Sequence, residues 1–317
     1  MVRYIFRRLL ALIPTVIGIS LVVFLIMHLI PGDTISAMIG TKQKLTEAQM
    51  ASLRAYFGLD RPLWEQYVRW LYNAVQGNFG ISVRSGAPVA TEILSRVPMT
   101  AELTFVSVII GLIMGIPMGI WAAVKQGKFA DWLGRGVSMI GLAMPSFWSG
   151  TLIIYILSVG FHYLPNTGNF VSLFEDPISN LKQIIFPALT LGFAFSANIL
   201  RTTRSAMLEE INKDYAMTAK AKGVANRGIT WKHCFRNALI PIITLIGLEV
   251  GGLFGGAVIV ENIFAMPGLG RLLLNAIQQR DYALIQGSIV FVATMFVIVN
   301  LLADLTYAAA DPRIRYE

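Results

Sequence analysis

Long apolar runs follow one another along the chain, separated by polar segments that are mostly short. A helix needs about 20 apolar residues to cross the hydrocarbon core of a bilayer. The pattern therefore predicts an all-α integral membrane protein with about six transmembrane helices. The runs are Leu9–Ile30, Leu103–Val124, Gly136–Phe161, Ile184–Leu200, Ile240–Val260 and Ala283–Leu302. The fourth run is the shortest and begins near Pro187, so its ends are the hardest to predict.

The first apolar run has an alternative interpretation. Arg3, Arg7 and Arg8 precede it, as basic residues precede the apolar part of a secretory signal peptide. The run is longer than the ~7–15 residues usual in such peptides, however, and no good small-residue cleavage site follows it. A transmembrane helix is therefore the preferred interpretation.

Composition supports the membrane class. Of the 317 residues, 55% are hydrophobic and only 14% charged, with a mean hydropathy of +0.63, whereas soluble proteins carry roughly 25% charged residues. The net charge of +8 gathers in loops rather than in one basic patch. With the N-terminus inside, the inside segments hold 16 Lys and Arg and the short outside segments hold three. This asymmetry predicts an inner-membrane protein with both termini cytoplasmic.

The few Cys and His residues limit the chemistry that the chain can carry. Cys234 is the single cysteine, which excludes an internal disulfide and a cysteine-based metal cage. The three histidines lie far apart in sequence, so we expect no metal site. No nucleophile and base constellation is visible, and we expect no catalytic residues.

The long segment 31–97 is predicted to form a small helical subdomain outside the membrane. Thr46 and Gln49 form a capping-box pattern, which predicts a helix that ends near Gly58. A second helix is expected to open at Asp60 and Pro62. Its apolar face would comprise Leu63, Tyr67, Trp70, Leu71 and Ala74, with Gly77 closing the helix. The alternative is a loop without a role in function.

The remaining boundaries follow from the runs. Residues 1–30 form the N-terminal end and the first span, and 98–308 form the transmembrane core. Residues 309–317 form a cytoplasmic tail. Within the core, the cytoplasmic segment 201–236 is too long for a simple hairpin, and we call it the docking loop.

The docking loop is predicted to contain a short surface helix. The segment from Asp214 to Lys222 contains strong helix formers, and Gly223 supplies a stop and a sharp turn. The helix is expected to resume and to run into Pro241 at the membrane. Such a helix, held at the surface by flanking basic residues, would be a docking element. A solvated connector is the alternative.

The docking loop resembles the cytoplasmic loop of binding-protein-dependent ABC importer permeases, in their dipeptide/oligopeptide/nickel branch. The branch has D-Y-x-x-T-A-x-A-K-G followed by H-x-x-R-N-A-L-I-P. The chain matches this pattern with Asp214, Tyr215, Thr218, Ala219, Ala221, Lys222, Gly223, His233, Arg236, Asn237, Ala238, Leu239, Ile240 and Pro241. Met217-Thr218-Ala219 replaces the Glu-Ala-Ala of the wider superfamily, and the spacing from Gly to Pro is longer. Both departures resemble the peptide branch.

Other stretches extend the resemblance over nearly the whole chain. They are RYIFRRLLALIPTVIGIS near the start, His28–Asp33, Phe57–Val83, Glu261–Ile277 and Asp311–Tyr316. The resemblance implies a type I importer permease fold, similar to a dipeptide permease B-type subunit. It implies a homologous second permease, two cytoplasmic ATPase subunits that bind ATP and Mg, and an extracytoplasmic binding protein as partners. It also implies that the docking loop couples to an ATPase, through Asp214, Tyr215, Thr218, Ala219, Ala221, Lys222, Gly223, Arg236 and Asn237.

The expected function is inward translocation of di- or oligopeptides or a similar small polar solute, with no cofactor in this chain and ATP hydrolysed by its partners. Nickel chelates, glutathione and opines are alternative cargoes. The segment Gly223–Thr230 has the glycine and threonine spacing of a phosphate loop. It has Ile229 in place of the required lysine and no preceding strand, so the match is taken as coincidence.

Two features inside the predicted spans call for an explanation. Glycine recurs every fourth residue in the second and fifth spans, which favours close helix packing within the chain or against a partner permease. These glycines are Gly111, Gly115 and Gly119, and then Gly247, Gly251 and Gly255. Glu249 lies near mid-membrane, where an acid is costly. It either lines the translocation path or is a hydrogen-bonded structural carboxyl.

Two rival classes remain. A self-sufficient secondary transporter or channel would need internal repeats with broken helices and would lack a docking helix. A membrane-embedded enzyme would need several polar residues converging inside the spans, and only Glu249 is clearly there.

Overall fold

The computed structural model describes residues 2–29, 46, 48, 49, 52, 55, 60–166 and 170–310. In this part of the chain the repeating structure is helical, and a single bridge between Ile81 and Pro88 interrupts it. The longer helices are α1 Val2–Leu29, α2 Leu63–Val75, α3 Val89–Val124, α4 Phe129–Ala143, α5 Ser146–Phe161, α6 Pro177–Ile211, α7 Asp214–Ala221, α8 Arg236–Ile263, α9 Leu269–Gln279 and α10 Tyr282–Ala310.

Five stretches of helix are long and apolar enough to cross a membrane. They are Leu10–Leu29, Val89–Val124, Pro177–Ile211, Asn226–Leu253 and Tyr282–Leu302. Helices α4 and α5 pass the same test together but are bent by 100° relative to one another. With this bent pair taken as one span, the total is the predicted six.

The expectation of one continuous helix over Gly136–Phe161 was wrong. The run is broken between α4 and α5, where Met144 has the extended backbone (φ −81°, ψ 117°) that a residue before proline prefers. Pro145 is extended as well. Its ring fixes φ and its nitrogen cannot donate, so α4 ends here and α5 begins in a new direction.

Helix α6 is much longer than the fourth apolar run. It has 35 residues and begins at Pro177, where the side chain of Asp176 accepts hydrogen bonds from the backbone N–H of Ile178 (3.0 Å) and of Ser179 (3.2 Å). Proline in the first turn costs no hydrogen bond. Pro187, expected near the start, lies inside the helix, where buried neighbours tolerate the missing donor.

The structure divides into two compact units. The first comprises Met1–Met99 and Pro267–Val297, and the second comprises Thr100–Met266 and Ile298–Glu317. The core of the first unit joins the start of α3 with α9 and the start of α10. Its buried side chains are Val89, Ile93, Leu269, Ala276, Leu284 and Ile285.

In the first unit, Asp281 joins a turn before α3 to the junction of α9 and α10. Its buried carboxylate accepts from Ser82 Oγ (2.6 Å), from the backbone N–H of Arg84 (3.4 Å) and from that of Leu284 (3.2 Å). The Arg84 guanidinium donates to the carbonyl of Gln279 at the end of α9 (3.3 Å). We call Ser82, Arg84, Gln279 and Asp281 the Asp281 clamp.

In the second unit, α3 lies against α6 along the predicted glycine repeat. A Cβ at Gly111, Gly115 or Gly119 would come closer than 3.0 Å to atoms of α6. The α6 side chains facing these glycines are Phe195, Ile199 and Thr203. Close packing within the chain is therefore confirmed for this repeat. In the other repeat Gly251 is buried, and packing roles for Gly247, Gly251 and Gly255 stay a prediction.

Part of the predicted segment 31–97 can be compared with the structure. The backbone N–H of Thr46 donates to Gln49 Oε1 (3.0 Å), and that of Gln49 donates to Thr46 Oγ1 (3.4 Å), as a capping box requires. Helix α2 starts after Pro62, as predicted. The expected helix end at Gly58, residues 31–45 and the tail 311–317 lie outside the described residues.

Candidate functional site: the docking loop

The docking loop begins with the last turns of α6. This helix ends at Ile211, a tight turn follows, and the eight residues of α7 run from Asp214 to Ala221. A helical turn at Asn226–Gly228 then leads to a π-helical segment, Ile229–Phe235, which continues into α8. The predicted surface helix and its continuation are thus confirmed.

A ring of hydrogen bonds ties α7 to both long helices. Glu210, buried at the end of α6, accepts from Lys213 Nζ (2.6 Å) on one carboxylate oxygen and from the Tyr215 hydroxyl on the other. Asn237, at the start of α8, donates its Nδ2 to the Tyr215 oxygen (3.2 Å). Lys213 also reaches Glu209 Oε1 (3.4 Å). We call Glu210, Lys213, Tyr215 and Asn237 the Glu210 ring.

Burial and the hydrogen bond to Glu210 raise the pKa of Tyr215 to about 12. Its hydroxyl therefore stays protonated and continues to donate at neutral pH. The hydrogen bond to Glu210 also holds the pKa of Lys213 above its ordinary value. The ring thus consists of the charged pair Glu210 and Lys213 with the neutral phenol of Tyr215 bonded to it. Its hydrogen bonds to charged groups are stronger than a bond between neutral groups.

An apolar cluster lies beneath α7. Ala216 of α7 packs with Met207 of α6, Ile229 and Cys234 of the π-helical segment, and Ala238 of α8. Ala219 and Tyr215 pack against this cluster from its edge. The i→i+5 bonding of a π-helix brings residues five apart onto one face, and the buried pair Ile229 and Cys234 has this spacing. Sequence reasoning did not predict the π-helical segment.

Gly223 ends α7 with backbone geometry that suits glycine. Its φ is +79°, a conformation that residues with a Cβ rarely adopt. The N–H of Gly223 donates to the Lys220 carbonyl (3.0 Å), and that of Val224 donates to the Ala219 carbonyl (3.1 Å). These two bonds form a Schellman motif. The residues before Gly223 therefore form a helix, not the strand that precedes a phosphate loop.

The opposite face of α7 is free of such contacts in the described part of the chain. Met217 and Val224 expose 56% and 38% of their surfaces. The other exposed predicted site residues here are Asp214, Thr218, Ala221, Lys222 and Gly223. The nine predicted docking residues thus fall into two groups. Tyr215, Ala219 and Asn237 hold α7 in place, whereas the exposed ones and Arg236 face outward.

A second polar contact, which sequence reasoning missed, anchors the same end of α6. Asp131 of α4 is buried and accepts from Arg204 Nε (2.6 Å) and from a second guanidinium nitrogen of Arg204 (3.1 Å). The backbone N–H of Gly127 also donates to Asp131 (3.0 Å). A bidentate pair of this kind has strong directional preference. No local pattern joins residues 73 positions apart, so this pair could not be predicted from the sequence.

Between α6 and α8 lies an open cleft of about 380 Å³. It is lined by Arg201, Thr202, Ser205, Ala206, Glu209 and Pro241. The cleft adjoins the Glu210 ring through its neighbour Glu209.

Glu249 has a partner on the same two helices. Asn198 of α6 donates its Nδ2 to Glu249 Oε1 of α8 (3.2 Å). Both side chains are only half-buried, so part of their surface is accessible in the described chain. The arrangement is compatible with both predicted roles, and the role of Glu249 stays a prediction.

Helices long enough to cross a bilayer, with a short helix braced at the end of two of them, define a multi-pass membrane protein that carries a helix at its surface. Comparisons with known proteins identify the family. A model described as "Binding-protein-dependent transport system inner membrane component" matches residues 115–316, and its N-terminal companion matches 1–104. The chain belongs to this family, as a multi-pass inner-membrane permease subunit of an ABC importer.

Curated relatives are similar over their full length. The chain is 39% identical to the dipeptide transport system permease protein DppB of Escherichia coli K12, with 100% of both chains covered. It is 40% identical to the glutathione transport system permease protein GsiC of the same strain, again with 100% of both covered.

Solved structures share the fold. The chain matches the inward-facing MetNI methionine ABC transporter with a TM-score of 0.56 and 17% identity, covering 69% of this chain and 96% of that one. An amino acid ABC transporter crystallised with histidines matches with a TM-score of 0.53 and 18% identity, covering 71% and 94%. At this identity the likeness concerns the fold alone.

Proposed function

We propose that this chain is one of two homologous permeases of an importer that carries dipeptides or short oligopeptides inward. The observation that carries the proposal is the full-length identity of 39% to a dipeptide permease. Two ATPase subunits in the cytoplasm would bind ATP and Mg and supply the energy, and a soluble binding protein would deliver the cargo. The chain itself would hydrolyse no ATP.

Glutathione is the second candidate cargo, because the identity to a glutathione permease is equally high at 40%. Glutathione is itself a short peptide, whose first peptide bond is formed by the side-chain carboxyl of glutamate. A pathway that accepts a short extended peptide with charged ends would suit both solutes. The choice between them would rest largely with the binding protein.

The geometry supports a mechanical route from the ATPases to the spans. The exposed face of α7 would sit on an ATPase subunit, and the Glu210 ring would pass its displacement to α6 and α8 together. Rigid-body movement of these helices would then open and close the path. Glu249 lies further along the same pair of helices, where its free side would meet a cationic group of the cargo.

Uptake by the assembled transporter tests the cargo. The chain would be produced with its partner permease, ATPases and binding protein, and reconstituted in proteoliposomes. We expect labelled dipeptide to accumulate only with ATP, and unlabelled dipeptide to compete better than glutathione. Better competition by glutathione would select the second candidate. ATP-independent accumulation by the chain alone would contradict the importer proposal.

Orientation is tested separately by labelling from either side of the membrane. Cysteines would replace Lys44 and Lys213 one at a time, in a chain where the buried Cys234 is changed to alanine. A membrane-impermeant reagent should label the first position from outside and the second from inside. Labelling from the same side would contradict a topology with both termini cytoplasmic.

A further inference from the structure

Helix α2 presents an apolar surface that is not explained by its packing on α1. Four of its side chains are more than half exposed at helical spacing: Trp64 (69%), Val68 (55%), Tyr72 (69%) and Val75 (82%). They stand four, four and three residues apart, so they form one stripe along the helix. We call these four residues the α2 stripe.

A different side of α2 holds it to α1. The Tyr67 hydroxyl lies 2.9 Å from Ser20 Oγ and donates to the Ile17 carbonyl (3.1 Å), and its ring packs against Phe24 with 5.4 Å between centroids. Gln66 Oε1 is 3.3 Å from His28 Nε2. Since Tyr67 and Gln66 make these contacts, the α2 stripe points elsewhere.

These contacts also fix the depth of α2. Ile17 and Ser20 belong to the apolar span Leu10–Leu29. Ser20 is nine residues from the end of that span, which corresponds to about 14 Å along a helix axis. The tip of Tyr67 therefore reaches well inside the level of the membrane surface, while Gln66 meets α1 at its end. Helix α2 lies beside the outer part of the span rather than above it.

The third side of α2 is polar. Glu65, Arg69 and Asn73 follow one another at four-residue spacing, and Arg69 Nε lies 3.2 Å from Glu65 Oε1. Arg69 and Asn73 are exposed. A helix with an apolar stripe that contains Trp and Tyr, next to a charged stripe, has the composition of helices that lie in the membrane–water interface.

We infer that α2 is an interfacial helix whose stripe, Trp64, Val68, Tyr72 and Val75, is covered by lipid of the leaflet at the C-terminal end of α1. Lipid is the occupant that agrees with the depth of Tyr67. It also agrees with the neighbouring surface of α1, where Ile17, Leu21 and Leu25 expose about two-fifths of their area. Arg69, beside the stripe, would reach lipid phosphate groups. This inference does not depend on the cargo or on the ATPases.

The test measures the surroundings of single positions on α2. Nitroxide labels would be attached to Val68→Cys and Tyr72→Cys on the stripe and to Asn73→Cys as a matched control on the polar side. Cys234→Ala would remove the native cysteine. The full-length chain would be reconstituted in nanodiscs of phosphatidylethanolamine and phosphatidylglycerol, with its partner subunits. Paramagnetic accessibility to oxygen and to a water-soluble nickel complex would then be compared.

We expect labels at positions 68 and 72 to be more accessible to oxygen than to the nickel complex, and the label at position 73 to show the reverse. Preference for the nickel complex at all three positions would mean that the stripe faces water, and would overturn the inference. Immobile stripe labels that are shielded from both reagents would mean that a protein covers it, and would overturn the inference equally.

Discussion

The docking loop holds the short helix α7 and the Asp281 clamp holds the end of the short helix α9. The contacts that build the two differ in how far apart their residues lie in sequence. In the Glu210 ring, Glu210 and Tyr215 are five residues apart and Tyr215 and Asn237 are 22 apart. In the clamp, Ser82 and Asp281 are separated by 199 residues. The Glu210 ring connects consecutive elements, whereas the Asp281 clamp joins segments that are 199 residues apart in sequence.

The two devices also differ in what they leave uncovered. The carboxylate of Asp281 is buried, and its bonds to Ser82, Arg84 and Leu284 occupy it from several directions. In the docking loop only the underside of α7 is occupied, while Met217 and its neighbours are exposed. The comparison indicates that the clamp encloses its carboxylate on several sides, whereas the docking loop holds α7 from one side and leaves its other face exposed.

The largest effect is expected from Gly223→Pro. Proline cannot adopt φ of +79° and removes the N–H that bonds to Lys220, so the Schellman motif and the end of α7 should be lost. We expect a permease that still inserts but no longer supports substrate-stimulated ATP hydrolysis. Coupled ATPase activity of the reconstituted transporter measures this.

Gly77 offers a matched control at the end of α2. It has φ of +82°, and the N–H groups of Gly77 and Asn78 donate to Ala74 and Asn73 in the same motif. Gly77→Pro should therefore cause a comparable local loss while the ATPases still co-purify. If Gly223→Pro retains normal coupled transport, the docking loop is only a connector.

The second largest effect is expected from Asp281→Ala. The change removes the acceptor of the Ser82 O–H and of the backbone N–H groups of Arg84 and Leu284. A buried donor left unpaired costs about 1–3 kcal/mol. We expect lower thermal stability in detergent. The loss of monodisperse protein on heating measures this stability. Arg84→Ala removes only the bonds to Gln279 and should have a smaller effect. Equal stability of Asp281→Ala and the unchanged chain would show that the clamp contributes little.

A smaller effect is expected from Tyr215→Phe, because Lys213 still bonds to Glu210. The change removes the bond to Glu210 and the bond from Asn237. Losing a hydrogen bond to a charged group costs about 1.5–3 kcal/mol, and less where water can replace it. The folded pKa near 12 exceeds the ordinary value of about 10. Between these two values the folded state binds more protons than the unfolded state, so the tyrosine contributes stability below pH 10 and loses it as pH rises toward 12.

Tyr215→Phe should not show this loss of stability between pH 10 and pH 12. Unfolding monitored at a series of alkaline pH values, together with tyrosine absorbance, measures the difference between the two chains. A signal from the unchanged chain in which every tyrosine titrates near pH 10 would contradict the raised pKa of Tyr215.

Glu249→Gln should have the smallest effect on structure, because glutamine keeps an oxygen that accepts from Asn198. If the free side of the carboxylate meets the cargo, transport of cationic peptides should fall more than that of neutral ones at normal expression. Uptake of both kinds through the variant measures this. Glu249→Leu tests the other role, since a packing residue should then show mainly altered stability. Equal uptake of both peptide types by the Gln variant excludes the pathway role.

Local chemistry explains what could be predicted from the sequence. Gly223 stops a helix because of its own backbone freedom, and the capping box at Thr46 needs only a partner three residues away. The glycines at 111, 115 and 119 predict close packing of α3, but they do not indicate that α6 is the helix packed against it. The apolar runs specify spans through their lengths alone.

What could not be predicted depends on tertiary structure. The pairing of Asp131 with Arg204 and of Asp281 with Ser82 arises only when distant segments meet, and no spacing in the sequence indicates it. The break at Met144 could have been anticipated from Pro145, but its angle of 100° depends on packing. The π-helical segment buries Ile229 and Cys234 in one cluster, a contact that only the folded chain reveals.

The contact of α3 with α6 has a mechanical consequence. Two rods joined along their length resist bending far more than the same rods lying loose, because neither can slide past the other. The three glycines join these helices over successive turns, and close-packed protein has low compressibility. A displacement applied where α6 ends at Ile211 would therefore be transmitted along α3 and α6 with little bending of either helix. Bending in this part of the molecule would then occur at its joints, and the 100° break between α4 and α5 at Pro145 is one of them.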